Sequence, residues 1–151
     1  MKQWFARVLA LLLAACAAQA LLAATPAQER QFVDAYRKAY EARDHKGLVA
    51  LLYTSGADPQ ALTFYKMMLG AEMGGRIGSI ELVDLTPEDR ARADSTQSPT
   101  GRPMKLVLPA TKKLVIKSST KDKDGSSSSS SEVFVGESGG RLWILVPGAA
   151  R

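Results

Sequence analysis

The chain has one cysteine, Cys16, and one histidine, His45, in 151 residues. A single cysteine excludes any disulfide within the chain, so the fold has to be held by core packing. Tetrahedral zinc sites need several Cys or His ligands, and this pair cannot supply them without carboxylates, so no metal and no other cofactor is expected. Aromatic residues are sparse at 7%. The chain is 46% hydrophobic and 23% charged, which places it among globular single domains and excludes a disordered chain.

The one long uncharged apolar run lies at the start. Lys2 and Arg7 give a short positive region and Val8 to Ala15 an apolar one, the pattern of a secretory signal peptide over residues 1–24 in an exported bacterial protein. Read as far as Ala24, the run is only marginally long enough to span a bilayer, and it ends in small-residue cleavage positions. Two processing routes remain open. Ala18-Gln19-Ala20 fits ordinary signal peptidase, with Ala24 as a second cleavage position, whereas Leu13-Ala14-Ala15-Cys16 fits a lipobox in which Cys16 is lipidated and anchors the chain to the membrane. The expected location is the periplasm or the exterior, with a membrane-anchored lipoprotein as the alternative.

Removing Lys2 and Arg7 lowers the formal charge from +5 to +3 for residues 25–151. The surplus is local: seven cations between Arg102 and Asp124 face only two acids. In an exported protein such a patch meets anionic head groups or acidic polymers, and nucleic acid is not an expected partner. The plainer reading is a solvated sheet face.

Thr25-Pro26-Ala27-Gln28 has the grammar of a capping box with proline at the first helical position. Phe32, Val33, Tyr36, Ala39 and Tyr40 then recur at three- and four-residue spacing, one apolar stripe along a helix. Asp44 reads as the cap of a shorter helix carrying Leu48, Leu51 and Leu52, and a third helix is expected over Pro59–Met73, stopped by Gly74-Gly75. After Gly75 the period becomes strand-like, over Ile77–Leu85, Met104–Leu108, Leu114–Lys117 and a closing hairpin of Glu132–Val135 with Leu142–Val146. Pro87–Gly101 reads as a polar excursion. Residues 119–131, with serine at every position from Ser126 to Ser131, read as a mobile loop too polar to pack. The expected fold is α+β: one domain over 25–151, with N-terminal helices packed on a curved, cone-like antiparallel sheet of about four strands. Lys105, Lys113 and Lys117 alternate with apolar residues and are expected to form a basic outer sheet face.

The run Phe32 to Tyr53 resembles the opening of the nuclear transport factor two-like superfamily, which includes SnoaL-like proteins of cystatin-like shape. There a helix bearing alanine and aromatic residues reaches an aspartate, here Asp44, and a leucine-rich helix follows. Val133 to Pro147 is similar to that superfamily's final hairpin. The resemblance covers about a third of residues 25–151. It implies a cone with a pocket between helices and sheet, a frame that serves isomerases, dehydratases, transport factors and non-enzymatic binding domains. The helix at Pro59–Met73 and the serine tract depart from the pattern.

No catalytic set emerges. Asp44 and His45 are adjacent at a helix start and point apart, which suits capping better than acid–base work. Gly136-Glu-Ser138-Gly-Gly140 matches a nucleophile-elbow string, but that motif needs a strand-to-helix turn and here strand leads into strand. Tyr36, Tyr40, Tyr53, Tyr65 and Trp143 are the candidate ligand-binding side chains of the concavity, although buried aromatics more often serve the core. Three readings follow. The first is a non-enzymatic envelope domain binding a small apolar ligand or an envelope protein; the second is a SnoaL-like, isomerase-like enzyme using a tyrosine and a carboxylate; the third is an adaptor holding anionic envelope components on its lysine-bearing face.

Overall fold

The computed structural model describes residues 23–98, 100–123 and 125–150. Residues 1–22 of the expected leader, with Cys16 and the cleavage position at Ala20, lie outside the described residues. Helix α1 (Pro26–Glu41) begins with the expected capping box. The Thr25 hydroxyl accepts from the Gln28 amide and the Gln28 side chain accepts from the Thr25 amide at 2.7 Å. Its stripe of Phe32, Tyr36, Ala39 and Tyr40 is buried. The chain then turns through Arg43 at φ 56°, and Asp44 caps α2 (His45–Val49) by accepting from the Gly47 amide at 3.0 Å.

Strand β1 (Leu52–Tyr53) is short. Helix α3 (Pro59–Glu72) is capped by Asp58, whose Oδ1 accepts from the amides of Gln60 and Ala61. Strand β2 (Arg76–Asp84) follows as expected. The polar excursion after it contains a helix, α4 (Pro87–Asp94), started by a second capping box between Thr86 and Asp89. Thr86-Pro87-Glu88-Asp89 has the same form as the Thr25 box, a local signal that the polarity of the segment masked.

The remaining elements are β3 (Met104–Leu106), β4 (Lys112–Asp122), β5 (Gly125–Ser138), β6 (Arg141–Leu145) and β7 (Pro147–Ala149). The fold is α+β, and two expectations about its strands need correction. The main sheet is not a four-stranded antiparallel one: it has five strands in the order β1-β6-β5-β4-β2, and the β1–β6 pair is parallel. The stretch at Met104–Leu108 does not join it. Only Met104–Leu106 is strand, and it pairs with β7 in a separate two-stranded sheet. Apolar alternation fixed the element type but carried no information on the partner strand.

The serine tract is a further correction. It is the first half of β5, paired residue for residue with β4 from Asp122↔Gly125 to Lys112↔Val135. A run of identical side chains has no period to read, and serine alone does not favour a strand. The register is set from the apolar end, where Val133 and Val135 are buried, and is propagated along the ladder to the turn.

Leu114, Ile116, Val133, Val135, Ile144 and Ile80 share the inner face of the sheet and pack against the α1 stripe. Each such aliphatic contributes roughly 1.5–3 kcal/mol of transfer free energy. Beyond Ile116 the inner positions become Ser118 and Thr120 opposite Ser129 and Ser127. Ser126–Ser130 are exposed, so the β4–β5 ribbon runs past the core into solvent.

Candidate functional site

The five candidate aromatics do not meet in one concavity. Tyr36 and Tyr40 are buried on α1 with their rings stacked at 6.2 Å, facing the inner sheet. Tyr53 and half-buried Trp143 form an edge-on pair at 5.8 Å at the other end of the sheet, where the Arg141 guanidinium lies over the Trp143 ring. Tyr65 is on α3, beside Phe64.

Around Tyr36 the structure adds a carboxylate that the strand pattern did not reveal, because it comes from a helix. Glu72, at the end of α3, accepts from Ser131 Oγ at 3.3 Å. Burial pushes the Tyr36 phenol well above its ordinary value, and the charge of Glu72 and the neighbouring Tyr40 add to the rise. Tyr36 therefore stays a neutral phenol, able to donate a proton in a hydrogen bond.

The second polar cluster ties α4 to the sheet. Asp89 is almost fully buried, yet its carboxylate meets Arg92, the Thr86 amide and the Lys113 ammonium at 3.1 Å. Lys113 also reaches Glu132 at 3.2 Å, and Arg92 reaches the same carboxylate at 3.0 Å while lying over the Phe134 ring. The Arg92 hydrogen bond, the Thr86 amide and Lys113 hold Asp89 well below the usual carboxylate range. Arg92 and then Lys113 lower Glu132 likewise, and Lys113 is raised chiefly by Asp89. The expected basic face is therefore broken up. Lys113 is neutralised within this network, Lys105 stands on the separate small sheet, and only Lys117 is an exposed cation of β4 from that set. Alternation placed Lys113 outward correctly, but it did not show that a helix covers that part of the face.

The third place is a cleft between α3 and the small sheet. Asp58 fixes one end of α3: its amide donates to the Pro147 carbonyl and its Oδ2 accepts from Arg102 at 3.0 Å. The segment leading into β3 is held by the Met104 amide on Thr96 O and by the Ser98 hydroxyl, which accepts from the Arg102 amide. Between them lies a volume of about 280 Å³ walled by Ala61, Phe64, Tyr65, Met104 and Pro147, with Thr96, Gln97 and Ser98 at its polar side. On α3, Phe64 is 43% and Met67 64% exposed, the large apolar side chains most open to water among the described residues. A smaller cleft of about 210 Å³ between α1 and the β5–β6 turn is more polar, and Gln28 crosses it to donate to Gly140 O at 2.7 Å.

The remaining candidates are structural. Asp44 caps α2, while His45 Nε2 lies 2.9 Å from the Lys66 carbonyl, an acceptor only, so it carries the proton and clips α2 to α3. Ser138 ends β5 at a tight turn whose Gly139 and Gly140 have φ of 60° and 71°, and its carbonyl accepts from Trp143 Nε1 at 3.0 Å. It is a hairpin residue. Among the described residues no group of three His, Cys, Asp or Glu converges as a metal site, and no helix is long and apolar enough to cross a membrane.

Comparison with known proteins finds no matching family model, no curated protein of significant similarity and no significantly similar solved structure.

Proposed function

We propose that the chain is an exported, non-catalytic binding domain whose cleft between α3 and the β3–β7 sheet takes a small apolar ligand. The observation that carries this reading is the exposure of Phe64 in the wall of a cleft lined also by Met104 and Pro147, with exposed Met67 three residues further along α3. A water-exposed aromatic side chain in the wall of a largely apolar hollow, with an exposed thioether on the same helix, marks a surface shaped for burial. The volume lies just under the range of roughly 300–1,000 Å³ typical of small-molecule sites, which suits a single ring system or a short acyl chain. Export rests on the leader over residues 1–24, and the likeness of Phe32–Tyr53 and Val133–Pro147 to nuclear transport factor two-like domains is compatible with a binding role.

The neutral fluorophore N-phenyl-1-naphthylamine tests the cleft. Its emission is expected to rise on binding the purified protein, and Phe64→Ser with Met67→Ser is expected to weaken binding at least about tenfold while leaving the thermal midpoint nearly unchanged. Unaltered binding in that double variant would sink the assignment.

The alternative, a SnoaL-like enzyme, draws on the raised Tyr36 phenol beside Glu72. It requires a substrate to reach that pair, and the clefts described above are lined by other residues. Turnover of a substrate, lost in Tyr36→Phe and Glu72→Gln, is the result that would favour it.

A further inference from the structure

We propose that the free edge of β5 over Ser126–Ser131 takes an extended, acidic segment of another protein as an added strand. β5 is paired with β4 over Gly125–Val135 but with β6 only over Val135–Ser138. On the side away from β4, residues 125–134 have no strand beside them among the described residues. In a strand paired on one side, alternate residues turn their N–H and C=O groups outward, and that row is a template for another main chain.

Sheet edges in stable proteins are blunted by lysine, proline, inward charges or bulges. This edge carries six serines in succession, its pairing with β4 has no register irregularity, and Ser126–Ser130 are exposed. Hydroxymethyl groups leave room for an approaching backbone and bring no charge to repel it.

Charge one strand further in sets the chemistry of the partner. On one face of the ribbon Lys117 stands opposite Ser130 and Lys121 opposite Ser126, and both lysines are exposed. An added strand lies two spacings of about 4.8 Å from the β4 backbone. A lysine stem leans across a row of serines to meet a carboxylate there. Among the described residues the acids bordering this face are Glu81, opposite Val115 on the β2 side of β4, and Glu132 and Asp89, both held by Arg92 and Lys113. Carboxylates four residues apart on the incoming strand match Lys117 and Lys121. A second copy would bring only serines with its own lysines behind them, and an edge of six small residues buries far less than the roughly 800 Å² per partner of a stable dimer.

The test uses the purified protein and two labelled peptides of alternating threonine and charged residues, one with glutamate and one with lysine. The glutamate peptide is expected to bind with an affinity that falls as salt rises, and amides within Ser126–Ser131 gain protection from hydrogen exchange. Lys117→Glu with Lys121→Glu, and separately Ser128→Glu, are each expected to weaken binding at least about tenfold with the thermal midpoint preserved. Equal binding of both peptides, no binding of either, or protection confined to other strands overturns the proposal. Protection that grows with protein concentration alone also overturns it, because the edge would then belong to a second copy.

Discussion

The inner face of β4 changes character between two positions, and their truncation to alanine separates core from ribbon. Ile116 is 2% exposed and sits opposite Ile80 on one side and Ser131 on the other. Ser118, two residues on and on the same face, shares a hydrogen bond of 2.9 Å with Ser129 in solvent. Removing a buried isoleucine side chain to its β-carbon costs about 2–5 kcal/mol through lost transfer free energy and the cavity left behind. With a serine as one neighbour, Ile116→Ala belongs in the lower half of that range, at about 3 kcal/mol. Ser118→Ala gives up an exposed hydrogen bond that water replaces, and should stay within about 0.5 kcal/mol. In urea unfolding, with a slope of about 1–3 kcal/mol per molar, the first variant lowers the midpoint by about 1–3 M and the second leaves it nearly fixed. Similar losses at both positions would show that the core does not end where β4 leaves α1.

Acid is expected to weaken the attachment of α4. The folded pKa of Asp89 lies below its unfolded value of about 3.9, so the unfolded chain takes up the proton first and stability falls as pH drops below about 4. Urea midpoints measured from neutral pH downward should fall less steeply in that range in Asp89→Asn, which also unfolds at a lower temperature near pH 7. An acid limb as steep as that of the parent protein would remove Asp89 from the account. At Gly136 an added Cβ would stand 2.7 Å from the Pro109 carbonyl oxygen and 3.0 Å from a Leu145 methyl. Gly136→Ala should therefore cost about 1–3 kcal/mol by calorimetry, and a neutral result would mean that the segment at Pro109 is not packed there. Intact-mass analysis of exported protein should show loss of the first 20 or 24 residues, or a lipidated Cys16 at the new N-terminus, and retention of Met1 would contradict export.

Much of the helical half is legible from local chemistry. Thr25, Asp44 and Pro59 mark helix starts because a cap or a fixed φ acts within three residues, and the stripe from Phe32 to Tyr40 shows which side is buried. The strands are legible as strands, since Ile77–Leu85 and Leu114–Lys117 alternate, but their neighbours are not. Pairing of β3 with β7 and of β1 with β6 depends on contacts between residues about 40 to 90 positions apart. Helix α4 was hidden because its faces are almost all polar, and its anchorage is an ion network in place of an apolar stripe. The serine tract was hidden because a homopolymer has no pattern. Of the aromatic candidates, Tyr65 belongs to the apolar cleft, while Phe64 in its wall was missed because an exposed apolar residue on a helix has the same spacing as a buried one.

The methionine methyl groups give the most direct measurement of the central claim, that the hollow under α3 is the binding face. Met104 floors it and Met67 stands exposed one helical turn from Phe64, whereas Met73 lies at the far end of α3. Titration of methyl-labelled protein with indole should move the Met104 and Met67 resonances together along one saturable curve and leave Met73 in place. Shifts centred on Met73, or no saturable shift at Met104, would contradict it.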